Sequence, residues 1–251
     1  MANRSHLFPQ GLFSGNQNMI KLESITKKYG TITALDNISL HVQKGDYLAL
    51  LGPNGAGKTT IIRILLDFTH ADAGRAFVNG INSRLPAARQ NTGYLPENLR
   101  IPLYLSGRDF LKRQASLCGL SGKDAKREID RVLELTGMKE RQKNRAGTYS
   151  KGMLQRIGLS AALLCSPQLL ILDEPVNGLD PIGIREFRVI LENLKADGIT
   201  LLLNSHILSE VERLCSTAVI MNHGHILAKD SISNLMKEGE TLEDVFIRLV
   251  K

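Results

Sequence analysis

The feature that most constrains this chain is a glycine-rich segment between a short apolar run and a helix pattern. The run is Tyr47–Leu51, and the segment that follows it is GPNGAGKTT at residues 52–60. Five consecutive apolar residues predict a strand that is buried on both faces of a parallel sheet. The apolar positions within Ile61–Leu66 mark one side of a helix. A strand, a glycine loop and a helix in this order predict a phosphate-binding site.

Each residue type in this loop has a physical role in binding phosphate. Glycines let the backbone curl so that successive N–H groups point at phosphate oxygens, and the start of the next helix adds its dipole. Lys58 brings a positive charge to the β- and γ-phosphates of a nucleotide, and the Thr59 hydroxyl is placed to bind Mg²⁺. A glycine-rich turn with a stray lysine is the alternative, which the flanking elements make improbable. The predicted nucleotide-binding residues of the loop are Asn54, Gly55, Ala56, Gly57, Lys58, Thr59 and Thr60.

A second apolar run ends in two acidic residues. Leu169–Leu172 predicts another buried strand, and Asp173 and Glu174 follow it directly. Ligands bind at the carboxyl ends of the strands in open parallel sheets, and two buried carboxylates need a cationic partner. Mg²⁺ bound to ATP would supply that partner. We therefore expect Asp173 to support Mg²⁺ and Glu174 to act as the base that polarises the attacking water.

Composition limits the class of protein. The chain has 251 residues, of which 43% are hydrophobic and 23% charged, and this is ordinary for a globular protein. No apolar run approaches the roughly 18 residues that a membrane helix needs, so we expect any membrane span to belong to another chain. The net charge is +7, and its densest basic group lies at residues 139–145. A solvated surface explains this group better than a nucleic-acid or lipid-binding patch, and no nucleic-acid-binding motif accompanies it.

The number and spacing of the cysteines indicate the redox state of the protein's cellular compartment. Cys118, Cys165 and Cys215 are odd in number and far apart in sequence. This pattern predicts reduced, mostly buried thiols in a cytosolic protein, and it predicts no metal cluster.

The remaining segments add two further regions to the α/β core. Residues 1–18 are polar and interrupted by proline and glycine, and we expect a disordered extension there. Residues Ile38–Val42 alternate apolar and polar side chains, as a half-buried antiparallel strand does. Helical spacing over residues 106–120 and Gly122–Leu135 predicts a helical insertion into the core.

A third helix is predicted to begin near Ser150. Ser150 is a natural N-cap, and Gly152 removes side-chain bulk from the first helical turn. A helix start with small residues and exposed N–H groups suits an anion, although a plain capped helix is the favoured explanation when the segment is taken alone. We expect its apolar face to comprise Met153, Ile157, Ala161 and Leu164.

A histidine follows the last long apolar strand. Residues 198–203 predict a buried strand, and the chain continues with Asn204-Ser205-His206. A single histidine at a strand end is more often a surface residue than a catalytic one. Because His206 is predicted to lie at the same sheet edge as Glu174, we keep it as a candidate site residue.

These motifs occur in an order that resembles a known family. Together they resemble the ATP-binding subunit of an ABC transporter, and the resemblance covers residues 19–251 as one ATPase domain. It implies a P-loop NTPase core with a mainly parallel sheet, an antiparallel β-subdomain and an inserted α-helical subdomain at about residues 98–160. The motifs that carry the resemblance are the phosphate loop, GYLPE at 93–97, YSKGM-QR at 149–156, LLILDEP at 169–175, NGLDP at 177–181 and SHILSE at 205–210.

The resemblance assigns roles that the residues alone do not. It implies that Tyr29 stacks on adenine and that His206 contacts the γ-phosphate. It also implies that Ser150 and Gly152 contact the γ-phosphate held by the opposite subunit, and that Asp180 belongs to a loop crossing the dimer interface. The implied working unit is a homo- or heterodimer of two head-to-tail ATPase subunits that enclose two ATP molecules.

Two positions depart from the family pattern. In the segment that reads LSGGQ in many relatives, this chain has YSKGM, so Lys151 and Met153 replace glycine and glutamine. In this motif the chain resembles the family members that export drugs and lipids. Glu97 stands where most relatives carry a glutamine that binds Mg²⁺. A carboxylate can also bind Mg²⁺, but it cannot donate a hydrogen bond when ionised.

The function implied by the resemblance is ATP hydrolysis that drives a separate membrane-spanning transporter subunit, with a lean towards export. We expect the chain on the cytoplasmic face of the membrane, with ATP and Mg²⁺ as ligands and without a nucleic-acid partner. Leu99, Ile101 and Tyr104 are expected to be partly exposed and to receive a helix of the membrane subunit. The alternatives are a soluble ABC-type ATPase acting on ribosomes or DNA, and an unrelated P-loop kinase or GTPase.

Overall fold

The computed structural model describes residues 18–251. The disordered extension predicted for residues 1–18 lies outside this range, apart from Asn18. The chain divides into two compact units: the first runs to Gln90 and resumes at Lys195, and the second is Asn91–Leu194.

The described chain comprises ten strands and eight α-helices. In chain order the strands are β1 (Asn18–Tyr29), β2 (Ile32–Gln43), β3 (Tyr47–Leu51), β4 (Ala73–Val78), β5 (Ile81–Asn82), β6 (Thr92–Leu95), β7 (Leu169–Asp173), β8 (Thr200–Asn204), β9 (Thr217–Asn222) and β10 (His225–Ser231). The helices are α1 (Lys58–Leu65), α2 (Gly107–Leu117), α3 (Gly122–Leu135), α4 (Lys151–Leu163), α5 (Pro181–Ala196), α6 (Leu208–Leu214), α7 (Ile232–Leu235) and α8 (Leu242–Val250).

The first unit contains an antiparallel sheet in the order β2-β1-β4-β5. Along β2 the side chains of Ile38, Leu40 and Val42 are buried, while the residues between them are exposed. Side chains of a strand point alternately to opposite faces, so the apolar ones line the core. The predicted half-buried strand is confirmed.

The same unit contains the strand that precedes the glycine loop. All five residues of β3 are buried, because the strand pairs in parallel with β8 on one side and with β9 on the other. In the two registers Leu50 lies opposite Asn204, and Leu51 lies opposite Ile220. The carboxyl ends of β3 and β8 therefore meet at one edge, which places the loop after β3 beside the segment after β8.

The second unit combines a parallel strand pair with helices. β6 and β7 pair in parallel, with Leu95 opposite Leu172, and β7 is buried throughout. Helices α2 and α3 lie where the helical spacing predicted them. They pack on each other and on α4, which also packs on β6.

The predicted apolar face of α4 is wrong in part. Ile157 and Leu164 are buried, but Met153 and Ala161 are only half-buried. The buried set also includes Gly158, Leu159, Ser160 and Leu163. Because α2, α3 and β6 all contact this helix, its second half is enclosed on more than one side, and a single stripe does not describe its burial.

The α/β fold class is confirmed, with parallel strands, an antiparallel sheet and a group of helices. The limits of the helical subdomain, about residues 98–160, stay a prediction. None of the helices described between residues 18 and 251 combines the length and the apolar character required to cross a bilayer.

Candidate functional site

The phosphate loop is tied together by its lysine. The Lys58 ammonium donates hydrogen bonds to the carbonyl oxygens of Gly52, at 2.7 Å, and Pro53, at 3.1 Å. Only 8% of Lys58 is exposed, so its charge is held against the loop backbone. A buried ammonium is strongly attracted to phosphate, because opposite charges interact more strongly where water is excluded.

Two glycines of this loop are required by space as well as by backbone conformation. Gly57, which precedes α1, has a φ of 104°, and a Cβ atom there would lie 2.5 Å from the carbonyl oxygen of Ala34. A Cβ at Gly52 would lie 2.4 Å from the carbonyl oxygen of Met221. A side chain at either position would displace the neighbouring backbone, so only glycine fits at residues 52 and 57.

The other loop residues differ in exposure. Ala56 is buried, and its carbonyl oxygen accepts a hydrogen bond from the Gly224 N–H at 3.2 Å. Asn54, Gly55 and Thr59 are exposed, and Thr60 is half-buried. The Thr59 hydroxyl is thus accessible to a ligand at the start of α1.

His206 lies beyond the end of β8, at the edge of the sheet where the phosphate loop follows β3. The residue is exposed, whereas Asn204 and Ser205 before it are buried. The Ser205 hydroxyl accepts a hydrogen bond from the backbone N–H of Ile207 at 3.2 Å, which fixes the turn around the histidine. The first unit therefore brings the loop and His206 to the same edge, and the predicted nearness of His206 to Glu174 stays a prediction.

Tyr29 is the last residue of β1, and 44% of it is exposed. The Lys27 ammonium lies 5.3 Å from the centroid of its ring. Gly30 follows with a φ of 58°, so the chain turns directly after the tyrosine. An exposed, positioned aromatic ring of this kind can stack on a base.

In the second unit the paired acids end β7 as predicted. Asp173 is buried, with 5% exposed, and Glu174 is half-buried. Glu174 has a φ of 50°, in the left-handed region that residues other than glycine rarely adopt. The Asn177 N–H donates to the Glu174 carbonyl oxygen at 3.2 Å, which closes the turn after the strand. Backbone strain of this type occurs preferentially at functional sites.

Glu97 lies two residues beyond β6, the parallel neighbour of β7. Since Leu95 is opposite Leu172, the segments carrying Glu97 and Asp173 leave the sheet at the same edge. Glu97 is exposed. The second unit thus brings the three predicted carboxylates to one edge.

The start of α4 has the predicted cap. The Ser150 hydroxyl accepts a hydrogen bond from the Met153 N–H at 3.3 Å. Before it, Tyr149 is buried, and its hydroxyl donates to the Arg141 carbonyl oxygen at 2.7 Å. Burial raises the pKa of Tyr149, so its hydroxyl stays protonated and keeps this bond. Ser150 is itself exposed, so the anchored tyrosine presents the cap to solvent.

The turn at residues 177–181 lies against the same helix start. A Cβ atom at Gly152 would have the Leu179 side chain among its nearest neighbours, at 3.9 Å, and one at Gly178 would lie 2.4 Å from the Lys151 ammonium nitrogen. The Asp180 carboxylate accepts a hydrogen bond from the Gly183 N–H at 2.7 Å, as an N-cap of α5 does. The interface role predicted for Asp180 stays a prediction.

The expected docking residues behave differently from one another. Tyr104 is 69% exposed and Leu99 is half-buried, but Ile101 is only 6% exposed, so the expectation is wrong for Ile101. The segment has no helical or strand periodicity, and some of its apolar side chains are buried while others are exposed. Leu103, which is not among the predicted docking residues, is also 69% exposed.

The prediction of mostly buried cysteines is wrong in part. Cys215 is buried, whereas Cys118 and Cys165 are exposed. Both exposed cysteines follow helix ends, where side chains reach solvent more easily than in the core.

Comparisons with known proteins agree with this geometry. A family profile described as "ABC transporter" matches residues 35–177. A bacitracin transport ATP-binding protein of Bacillus licheniformis is 39% identical over 224 residues, which are 88% of this chain and 72% of the relative. An uncharacterized ABC transporter ATP-binding protein of a Nostoc species is 39% identical over 212 residues, which are 84% of this chain. The chain spans 63% of the length of that relative.

Solved structures give the same result. One described as an ATP-binding subunit of an ABC transporter superposes with a TM-score of 0.83 at 29% identity, covering 93% of this chain and 100% of that one. The residues that the family profile matches include the phosphate loop, the paired acids and the start of the capped helix.

Proposed function

This chain belongs to the ABC transporter family, and on that premise we propose that it is the ATP-hydrolysing subunit of a transporter. The observation that supports the proposal most directly is the phosphate loop, in which a buried ammonium is held on the loop carbonyls at the start of α1. A soluble ATPase acting on ribosomes or DNA is not favoured by any feature of the described residues.

We propose that ATP binds with its phosphates on this loop and its adenine on Tyr29. Backbone N–H groups and the Lys58 ammonium would neutralise the phosphate charge. Glu174 would accept hydrogen bonds from the attacking water and orient it, and His206 would contact the γ-phosphate.

The residues present fit Mg²⁺. Thr59 offers a hydroxyl, and Asp173 and Glu97 offer carboxylates, which are the oxygen ligands that Mg²⁺ prefers. Within residues 18–251 no group of three or more His, Cys, Asp or Glu could hold a metal ion alone. When bound, Mg²⁺ would stabilise the charge that develops on the phosphate oxygens.

The catalytic centre is proposed to be shared between two protomers. The exposed Ser150 cap and Gly152 present backbone N–H groups at the start of α4, and this arrangement suits a phosphate held by another copy. In a head-to-tail dimer each nucleotide would lie between one protomer's phosphate loop and its partner's α4 start.

Mixing two inactive variants tests this proposal. Lys58→Ala removes the phosphate-loop charge, and Gly152→Asp places a negative charge at the α4 start. A Cβ at Gly152 has no neighbour nearer than 3.9 Å, so Gly152→Ala is a matched control that should fold and retain activity. ATP hydrolysis is measured for each variant alone and for an equal mixture.

We expect each variant alone to be nearly inactive and the mixture to recover about a quarter of the wild-type rate. Half of the dimers would be mixed, and each mixed dimer would contain one complete centre of two. A mixture that stays as inactive as its components would contradict the shared centre, and so would full activity of Gly152→Asp alone.

We further propose a separate membrane-spanning subunit that docks on Leu103 and Tyr104, the exposed apolar pair that precedes α2. This partner would hold the chain at the cytoplasmic face of the membrane. The Bacillus relative is named for bacitracin transport, and we propose export as the direction for this chain.

A further inference from the structure

A cavity of about 240 Å³ lies in the first unit, where the chain leaves α1. Its wall is formed by the last turn of α1, the turn within residues 67–71, the first half of β4 and residues 82–84 at the end of β5. The phosphate loop precedes the other end of α1, and a helix of 8 residues spans about 12 Å. The cavity is therefore separate from the proposed nucleotide site.

The turn after α1 is held by backbone hydrogen bonds. The Phe68 N–H donates to the Arg63 carbonyl oxygen at 2.8 Å, and the Asp67 N–H donates to the Ile64 carbonyl oxygen at 3.2 Å. These two bonds form the Schellman motif that ends many helices, in which glycine usually occupies the left-handed position. Here Asp67 occupies that position, with a φ of 62°. This wall of the cavity is thus fixed by the backbone and carries a carboxylate.

The Asp67 carboxylate is already divided between two basic side chains. The His70 Nε2 lies 3.1 Å from one of its oxygens, and the Arg89 Nη1 lies 3.3 Å from the other. This carboxylate therefore has no charge left to balance a further arginine of the wall.

Two arginines of the wall carry charge that the protein balances only in part. Arg75 lies 3.5 Å from Glu23, but Glu23 lies closer to Lys21, at 2.5 Å. Arg84 forms no ion pair within residues 18–251, and its Nη2 donates to the Ala71 carbonyl oxygen at 3.3 Å, which holds the guanidinium against the turn. Three cations and one carboxylate leave an excess of two positive charges on this side of the cavity.

The end of α1 opposes this excess only weakly. The carboxyl end of a helix carries about half a negative charge, which is less than the two positive charges in excess. The carbonyl oxygens of Arg63 and Ile64 also accept hydrogen bonds from the turn. The net field at the cavity therefore favours an anion.

A buried hydroxyl lines the same cavity. Only 3% of Ser83 is exposed, and its hydroxyl forms no hydrogen bond with another residue of the described part of the chain. Its backbone is fixed on both sides, because its N–H donates to the Ala76 carbonyl oxygen at 2.8 Å and its carbonyl oxygen accepts from the Arg89 guanidinium at 2.7 Å. A buried hydroxyl without a partner is costly, so this group is available to a ligand.

We propose that this cavity binds a small phosphate-type oxyanion through the guanidinium groups of Arg84 and Arg75 and the hydroxyl of Ser83. The planar guanidinium matches two oxygens of a phosphate, and a hydroxyl can donate to a third. A divalent anion would balance the two positive charges in excess. The proposal concerns the first unit alone and does not depend on the proposed transport function.

The volume limits the size of the ligand. Pockets for drug-sized molecules occupy about 300–1,000 Å³, and this cavity is smaller, which excludes a whole nucleotide. Free phosphate and the phosphate group of a small monoester present the same tetrahedral oxygens. The two sources share one binding chemistry and are distinguished by comparing inorganic phosphate with glycerol 3-phosphate.

Nuclear magnetic resonance of the His70 ring gives a readout confined to this cavity. The full chain is labelled at its histidine rings, and the His70 signal is assigned by its absence from His70→Gln. Inorganic phosphate is titrated at constant pH and ionic strength, with ADP present to occupy the phosphate loop. We expect a saturable shift of the His70 signal, because this ring lines the cavity.

Three variants make the test specific. Arg84→Gln should raise the dissociation constant for phosphate at least about tenfold, and Ser83→Ala should raise it roughly fivefold. Arg213→Gln is the matched control, since Arg213 is an exposed arginine of α6 that forms no ion pair within residues 18–251. It removes the same charge and should leave the dissociation constant unchanged. The thermal-unfolding midpoint of each variant without phosphate checks that it is folded.

The comparison of ligands assigns the source of the phosphate. Tighter binding of glycerol 3-phosphate than of inorganic phosphate would assign the site to a phosphate monoester, and the reverse order would assign it to the free ion. Either order supports the proposed chemistry. A His70 signal that does not shift saturably would overturn the proposal. Equal dissociation constants for wild type and folded Arg84→Gln would also overturn it, as would an equal shift with chloride, which would indicate ionic screening alone.

Discussion

Replacing Gly57 by alanine should damage the phosphate loop far more than the same replacement two residues earlier. Gly57 and Gly55 both have positive φ values, 104° and 83°. A Cβ at Gly57 would lie 2.5 Å from the Ala34 carbonyl oxygen and 2.6 Å from a methyl carbon of Leu35, whereas a Cβ at Gly55 would meet no atom within 4 Å. The two substitutions therefore share the backbone strain and differ in the clash.

The expected free energies follow from these two terms. Left-handed backbone costs a residue with a Cβ about 1–2 kcal/mol, which applies to both variants. Displacing backbone and a packed side chain costs about 1–3 kcal/mol more, which applies to Gly57→Ala alone. For a chain of this length about 1 kcal/mol corresponds to roughly 2–4 °C in the unfolding midpoint. We expect a loss of about 4 °C for Gly55→Ala and about 10 °C for Gly57→Ala.

Thermal unfolding followed by circular dichroism without nucleotide measures both variants. Gly45→Ala is a control outside the loop, since its φ is 84° and no atom lies within 4 Å of its Cβ position. It should match Gly55→Ala in stability and the wild type in ATP affinity. Equal unfolding midpoints for Gly55→Ala and Gly57→Ala would show that the backbone relaxes around the added Cβ at no cost in stability. That result would refute the reasoning.

The remaining predictions concern catalysis, binding and pH. Glu174→Gln keeps the shape of the side chain but removes the base, so hydrolysis should fall about 100-fold while ATP-bound dimers accumulate in gel filtration; unchanged turnover would place the base elsewhere. Tyr29→Ala should weaken ATP binding about tenfold and Tyr29→Phe should not, as measured by calorimetry, because stacking needs only the ring; equal affinities would exclude the stack. Replacing Leu103 and Tyr104 by serine should abolish co-purification with native membranes and leave the ATP affinity of the isolated chain unchanged; retained membrane association would move the docking surface. A backbone N–H of a neighbouring strand and a lysine side chain lower the pKa of Asp72, so this carboxylate stabilises the fold above its unfolded pKa, and the stabilisation is lost as pH falls through the folded value. Asp72→Asn should therefore lower the unfolding midpoint at pH 7, and the difference from wild type should shrink below about pH 4; a constant difference would contradict the assignment.

The parts of the site that depend on local geometry were predictable from the sequence. A buried strand, a glycine loop and a helix start follow one another within 20 residues at Tyr47–Leu66, and the structure forms them in that order. The paired acids after β7 and the Ser150 cap of α4 are equally local. Their residue types and spacing leave few other conformations, so a pattern is sufficient.

Features that depend on contacts between distant segments were not predictable. The packing of α2 against α4 joins two segments that are distant in sequence, and no pattern in either helix specifies it. The burial of Ile101 beside the exposure of Leu103 likewise depends on which way an aperiodic segment turns. The strained φ of Glu174 is set by the turn that closes behind it, and glutamate has no intrinsic preference that would predict it.

The departure at position 151 shows how tertiary contacts change the meaning of a motif. Glycine at this position in many relatives would leave the turn at residues 177–181 uncovered, whereas here the ammonium nitrogen of Lys151 lies 2.4 Å from where Gly178 would carry a Cβ. Gly178 has a φ of 69°, which favours glycine, and the Lys151 side chain occupies the space where a Cβ would lie. Any larger residue at position 178 would have to displace Lys151. Lys151 is exposed, and it places a positive charge next to the helix start that we propose meets a partner's phosphate. A charge in that position would strengthen binding of an anion by Coulomb attraction and by the helix dipole together. Lysine in place of glycine at position 151 is therefore expected to alter the contact with the nucleotide and not to remove it.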